Sequence, residues 1–307
     1  MVDLLSGRAD LLLTDRPWDP IQEELSRFFS CWPPTAEAVS QPSATSLNLG
    51  FAQVNRRGRR LRFVAQNEAM PFPELDYESR IFTQGLIATR ANWHDTFNAL
   101  IWRVFPRTKQ ALNTAHWRVM QAQNGPRRGS RRDALTLFDE CGVVVLSRKR
   151  QHLHDLAAHR WLRLFVDDSK HWHSGCVQVV TFGHAMYEKY LCPYIGMTAK
   201  ALLVHVPYGA PSQDLLDAVL ARGVLDGVLL KNSSELAPLP VLGIPGWLNR
   251  LPRGFLHDSG YFRPPGTRVA KRLIVTLTNK GILRPEPPSR TQDADHGASV
   301  RPLLVRE

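Results

Sequence analysis

The chain has 307 residues, is 43% hydrophobic, and carries 39 basic against 28 acidic side chains for a net charge of +11. That apolar content suffices for a real core, and no run reaches the roughly 18 uninterrupted apolar residues of a membrane span. The start, MVDLLSGRADLLLTDRPWDP, lacks a basic n-region. Cys31, Cys141, Cys176 and Cys192 form no C-x-x-C pair or zinc rhythm, so a signal peptide and a disulfide framework are not expected and a reduced, cytoplasmic protein is.

Residues 1–50 read as an irregular N-terminal segment: Asp15-Arg16-Pro17-Trp18, a short helix over Pro20–Phe29, then a Pro/Ser/Thr-rich stretch to Ser46 where Pro33-Pro34 and Pro42 oppose regular helix. Arg60–Ala65 is expected as a short strand and Asp76–Gln84 as a helix ended by Gly85. A helix capped by Thr89 or Asn92 is expected to run to Phe105, with Phe97, Leu100, Ile101, Val104 and Phe105 as its apolar stripe. Pro106 stops it and opens a second helix, Arg107–Gln121.

The period then changes to 2, and Ala134–Phe138 and Val143–Leu146 are expected as a hairpin around Asp139-Glu140-Cys141-Gly142. Two amphipathic helices follow, His152–Val166 and Val177–Leu191, the first with His152, His154 and His159 on its solvent side. Ala201–Val206 reads as a strand, Pro211–Arg222 as a helix ended by Gly223, and Leu236–Trp247 as an ordered loop. Residues 284–307 read as a disordered tail. The expected fold is α+β: a helix-rich single domain, residues 1–283, around a small mixed sheet with a β-hairpin.

Polar residues concentrate on otherwise apolar elements between Thr89 and Gly142, and inward polar groups need partners or a purpose. His94, Asp95 and Asn98 can share one side of the first long helix, and a His beside a carboxylate is the minimal kit for general base or metal-ligand work. Lys109 and Asn113, with His116, line one face of the next helix and could grip an anionic or carbonyl group, with Arg132 nearby in sequence. Asp139 and Glu140 at a strand end suggest an acid/base or metal pair, although a turn would leave Glu140 in water. His184 and Glu188, spaced i,i+4, resemble half of a helix-borne metal or proton-transfer pair; H-E-x-x-H is absent. P-loop, Rossmann and G-x-S-x-G signatures are absent too.

The basic residues are 31 Arg and 8 Lys, a bias that GC-rich coding also produces. They cluster at Arg56–Arg62, Arg127–Arg132 and Arg148–Arg150 without interleaved aromatics.

The motifs DRPW, TRANWHDTFNALIWRVFPRTKQALN, RRDALTLFDECG, FGHAMYEKYLCPY, LPVLGIPGW and YFRP, in this order over residues 15–265, resemble the bacterial family known as domain of unknown function 3025. The resemblance implies a bacterial, cytoplasmic, single-unit protein and supplies no catalytic role. Its pattern is expected to hold Asn where Cys141 stands, which argues against Cys141 as a nucleophile.

The leading expectation is a hydrolase-type enzyme that gathers His94, Asp95 and Asn98 with Asp139 and the His184–Glu188 pair, a divalent metal being the one cofactor these constellations suggest. The alternatives are a non-catalytic module that binds nucleic acid or another phosphate-bearing partner through its Arg clusters, and a scaffold whose polar motifs lock the fold.

Overall fold

The computed structural model describes residues 13–29, 40–122, 129–250, 254–264 and 272–286. Its first half is mostly helical, with one pair of short strands: α1 (Gln22–Phe28), α2 (Ala44–Leu47), β1 (Arg62–Ala65), α3 (Tyr77–Gln84), β2 (Leu86–Thr89), α4 (Trp93–Val104), α5 (Pro106–Ala122) and α6 (Ser130–Cys141). Then follow β3 (Gly142–Ser147), α7 (Arg150–Ala157), α8 (Ser169–His173), β4 (Val177–Thr181), α9 (His184–Leu191), β5 (Thr198–His205), α10 (Gln213–Leu225), β6 (Ala237–Pro240), β7 (Ile274–Leu277) and β8 (Leu283–Pro285).

The architecture is α+β. β3 and β5, rich in Val, Leu and Ala, pair in parallel as the centre of a six-stranded mixed sheet. Every residue of β3 is buried, as a strand covered on both faces must be. β4 runs antiparallel on the outer side of β3; on the other side of β5, β6 pairs with its first half and β7 with its last. Pro238 and Pro240 sit in β6, which borders only β5 and can spare their missing N–H groups. β1 and β2 form a separate parallel pair over a smaller core of Phe51, Phe63, Ile81, Ile87 and Trp102.

Asn92 caps α4, its side chain accepting the Asp95 N–H. The start of α5 is capped from another helix: Asp217 of α10 accepts the N–H groups of Arg107 and Thr108 at 3.0 and 2.8 Å. Among the described residues no helix is long and apolar enough to cross a membrane.

Several expectations need correction. Ala134–Phe138 is not a strand and no hairpin turns at Asp139–Gly142; α6 runs to Cys141, burying Ala134, Leu135 and Phe138 on one helical face. Gly142 is extended, and it is glycine because a Cβ there would lie 2.2 Å from the Phe138 carbonyl oxygen. Among the described residues a hairpin forms at β7–β8, so residues 284 and 285 belong to the sheet rather than the tail; residues 287–307 lie outside the described residues. Val177–Leu191 divides into strand and helix at Phe182-Gly183. His152–Val166 divides into α7 and a π-helical turn, Arg163–Asp167, and His152 is buried rather than solvent-facing. A turn of helix, α2, forms after Pro42, with Ser43 as its cap.

Candidate functional site

α4, α6 and α9 meet, and their polar residues meet with them. His94 is in the first turn of α4, Glu140 in the last turn of α6, and His184 opens α9. What brings Glu140 to His184 is a backbone junction: Phe182 and Gly183 both donate their N–H to the Gly142 carbonyl, at 3.0 and 2.7 Å. The approach is so close that a Cβ on Gly183 would lie 2.4 Å from the Gly142 nitrogen and 2.5 Å from the Glu140 carbonyl oxygen.

The three side chains converge. His94 Nε2 is 3.1 Å from His184 Nε2, and Glu140 Oε2 lies 3.5 Å from His184 Nε2 and 3.9 Å from His94 Nε2. Behind His94, Glu188 Oε2 is 3.0 Å from Nδ1, so the carboxylate takes the Nδ1 hydrogen and Nε2 keeps a lone pair. His184 Nδ1 is buried and makes no hydrogen bond of sound geometry, although the Asp139 backbone is near enough to favour a proton on the ring.

His184 is 4% exposed; burial pushes its pKa down to about 3, against the pull of Asp139, so the ring is neutral at neutral pH. Burial, followed by the Asp139 carboxylate, raises Glu140 above the usual range. Two imidazole nitrogens and a carboxylate oxygen thus share one niche. Such an arrangement suits a cation. The side chains of His94 and Glu140 are 30% and 39% exposed, so the niche opens to solvent.

Beneath it lies a buried polar chain. Lys109 Nζ donates to Asp139 Oδ1 at 2.6 Å and to Asn98 Oδ1 at 2.9 Å, and Asn98 Nδ2 donates to the Tyr77 hydroxyl at 2.8 Å. The ammonium also rests 5.3 Å from the Trp102 ring centroid. Burial alone would raise the Asp139 pKa, but the Lys109 ammonium and then His184 outweigh it and hold it below the usual carboxylate range. The chain links α3, α4, α5 and α6 and fixes the residue preceding Glu140.

The structure thus brings His94, His184 and Glu188 into direct contact and joins Asn98 to Asp139 through Lys109. It uses the other candidates elsewhere. Asp95 accepts from the Arg90 backbone N–H and guanidinium, at 2.6 and 2.9 Å, and its own N–H is held by the Asn92 cap, so it fixes the entrance to α4. Asn113 donates to the Glu78 carbonyl and carboxylate on α3. Arg132 stands seven residues before Asp139 on α6, an axial rise of about 10 Å. Glu140 faces the histidines while staying partly open to water, because its element is a helix and not a turn. Gly183 and Tyr77 were not singled out from sequence; the glycine directly before His184 was the readable signal. Two cavities of about 510 and 500 Å³, lined by residues such as Arg16 and Trp247 or Tyr208 and Leu277, contain none of these groups.

No curated protein and no solved structure matches the chain. A family model does match, over residues 61–266, a span that holds His94, Glu140, His184, Glu188 and the whole buried chain beneath them. The protein belongs to the family described as "Protein of unknown function (DUF3025)".

Proposed function

We propose that this protein is a metal-dependent enzyme of the hydrolase type, with a divalent ion held by His94 Nε2, His184 Nε2 and the Glu140 carboxylate. The observation that carries the reading is the triangle of 3.1, 3.5 and 3.9 Å between those three atoms. Ligands about 2.0–2.1 Å from a zinc ion stand about 3.4 Å apart at the tetrahedral angle. The triangle therefore approximates one face of a zinc tetrahedron. Glu188 supplies the partner that metal-bound histidines commonly have on their second nitrogen.

Three protein ligands and an open side facing solvent are the pattern of a catalytic rather than a structural zinc site. Such an ion supplies Lewis acidity, which polarises a carbonyl or phosphoryl oxygen and lets a water ligand ionise near neutral pH. The chain's own residues do the rest. Glu188 holds the His94 ring and its tautomer, the Gly142–Gly183 junction sets His184 against Glu140, and Lys109 keeps the Asp139 charge from competing with the site.

The test is a thermal melt of chelator-treated protein with Zn, Mn, Mg or Ca added. At 100 times the dissociation constant, linkage adds about 2.7 kcal/mol, a rise of roughly 5 °C for a chain of this size. His94→Ala is expected to lose the part of the zinc shift that this site contributes, and any activity found by substrate screening, while keeping its fold. A stripped protein indifferent to all four ions would remove metal from the mechanism.

A second reading, binding of nucleic acid, is favoured by one observation: Arg56, Arg57, Arg59, Arg60 and Arg62 are all exposed around the turn preceding β1. Other arginines are engaged in the fold, Arg80 with the Phe72 carbonyl and Arg103 with Glu24 and the Leu47 carbonyl. Arg127 and Arg128 lie outside the described residues. On this reading the log–log salt slope of binding to a single-stranded oligonucleotide flattens by about 0.7 for each phosphate contact removed in an Arg56/57/59/60→Ser variant. An unchanged slope would dismiss the patch.

A further inference from the structure

A second set of imidazoles and a carboxylate lies at the far end of β3. The strand ends at Ser147, and His152, in the first turn of α7, folds back over it. Ser147 Oγ donates to the Lys149 carbonyl at 2.8 Å, accepts the Lys149 N–H at 3.1 Å, and lies 2.9 Å from His152 Nδ1. A hydroxyl has one proton, and this one is committed to the carbonyl. His152 Nδ1 is therefore the donor to Ser147.

That assignment leaves Nε2 of the neutral ring with a lone pair, in a side chain only 2% exposed. What faces it is the Asp168 carboxylate, with Oδ2 at 3.8 Å. The distance is too long for a hydrogen bond, and two electron-rich atoms otherwise face each other, one on a buried ring and one on a partly exposed carboxylate. On the other side of the same carboxylate, His171 Nδ1 lies 3.2 Å from Oδ1, cut off from solvent and without a hydrogen bond of sound geometry. The two rings are 4.7 Å apart, and one ligand atom from each of the three residues falls within 4.8 Å of the others.

We infer that His152, Asp168 and His171 form a second divalent-metal site, separate from the one at His94 and independent of the hydrolase reading. A cation in this gap satisfies the His152 lone pair, the Asp168 charge and the orphaned His171 nitrogen together. Two imidazoles and one carboxylate favour a borderline ion such as zinc. Ser147 is the outer partner that orients His152, the role Glu188 has for His94. Lys149 Nζ contacts His171 Nε2 at 2.9 Å from an exposed position. For Nδ1 to ligate, the His171 proton moves through solvent to Nε2 and the Lys149 side chain swings away. Because the three ligands come from α7, the residue joining the π-helical turn to α8, and α8 itself, the ion acts as a clip that fastens this helical corner to the end of β3.

The test is zinc stoichiometry on the full chain, stripped with chelator and titrated with zinc(II) in a calorimeter, then desalted for elemental analysis. Asp168→Asn and His171→Gln are the primary variants, since those side chains are partly exposed and the replacements keep their shape. The expected result is two zinc ions per wild-type chain, one after either of these replacements or after His94→Ala, and none after His94→Ala with His171→Gln. The second site is expected to weaken at least tenfold in each primary variant. Two ions retained at wild-type affinity by both Asp168→Asn and His171→Gln overturn the inference, as does a wild type whose single ion is lost with His94→Ala. A single ion kept by His94→Ala and lost with His171→Gln sinks the His94 site and leaves this one standing. A wild type that binds none overturns both.

Discussion

Replacing Lys109 with Met is expected to lower stability by about 3–5 kcal/mol, the usual cost of breaking a buried ion pair from one side. Lys109 is 3% exposed, and its ammonium is shared by Asp139 and Asn98. Methionine fills much the same space, so lost packing contributes little, but Asp139 is left as an unpaired carboxylate among helices and Asn98 loses the donor to its oxygen. Urea denaturation with an unchanged slope and a lower midpoint is the predicted signature. The double variant Lys109→Met/Asp139→Leu is expected to recover most of the loss, because replacing both ions by apolar groups removes the stranded charge. A single variant that loses less than 1 kcal/mol would mean that water reaches Asp139 and that this chain does not lock the four helices. The same substitution bears on the site above, since Asp139 precedes Glu140 and its charge, once unpaired, pushes on the neighbouring carboxylate.

What could be read from the sequence follows physical lines. α4 and α5 were legible because their apolar stripes are long and Pro106 separates them. His184 and Glu188 were legible as a pair because i,i+4 spacing on a helix fixes a common face. α6 was not. Its segment ALTLF satisfies alternation as well as it satisfies the helical period, and five residues cannot decide between them. The helix prevails because Ala134, Leu135 and Phe138 all reach the core from one side.

The same ambiguity concealed Glu140, which a turn would leave in water and a helix end aims at His184. Val177–Leu191 hid its break for a related reason. Apolar residues continue through both parts, and only the β-branched start and Gly183 mark where strand becomes helix. His152 was misplaced because the partners that bury it, Asp168 and His171, come from beyond the end of its own helix. Asp95 shows the reverse: a residue of catalytic type whose spacing fits a site, held by the chain immediately before its helix.

Gly183→Ala is expected to disable the His94 site while leaving the protein folded. Gly183 has an ordinary negative φ of −64°, so alanine meets no backbone strain there. The obstacle is contact: the added Cβ would lie 2.4 Å from the Gly142 nitrogen, 2.5 Å from the Glu140 carbonyl oxygen and 2.7 Å from the Cys141 Cα. All three are backbone atoms at a helix-to-strand junction, and none can rotate aside. The start of α9 must therefore withdraw by about 1 Å, stretching the two hydrogen bonds to the Gly142 carbonyl, at an overpacking cost of about 1–3 kcal/mol. His184 moves with α9 whereas Glu140 stays on α6, so the 3.5 Å separation between them opens. Metal sites tolerate ligand displacements of only about 0.2 Å, so zinc affinity at His94, Glu140 and His184 is expected to fall by about 10–100-fold. The His152 group, at the other end of β3, has no part in this junction, and its zinc is expected to stay. Calorimetric titration of the folded variant separates the outcomes. Retention of both zinc ions at wild-type affinity would show that the α6–α9 junction does not set the ligand geometry, and the triangle of His94, His184 and Glu140 would lose its claim to be a built site.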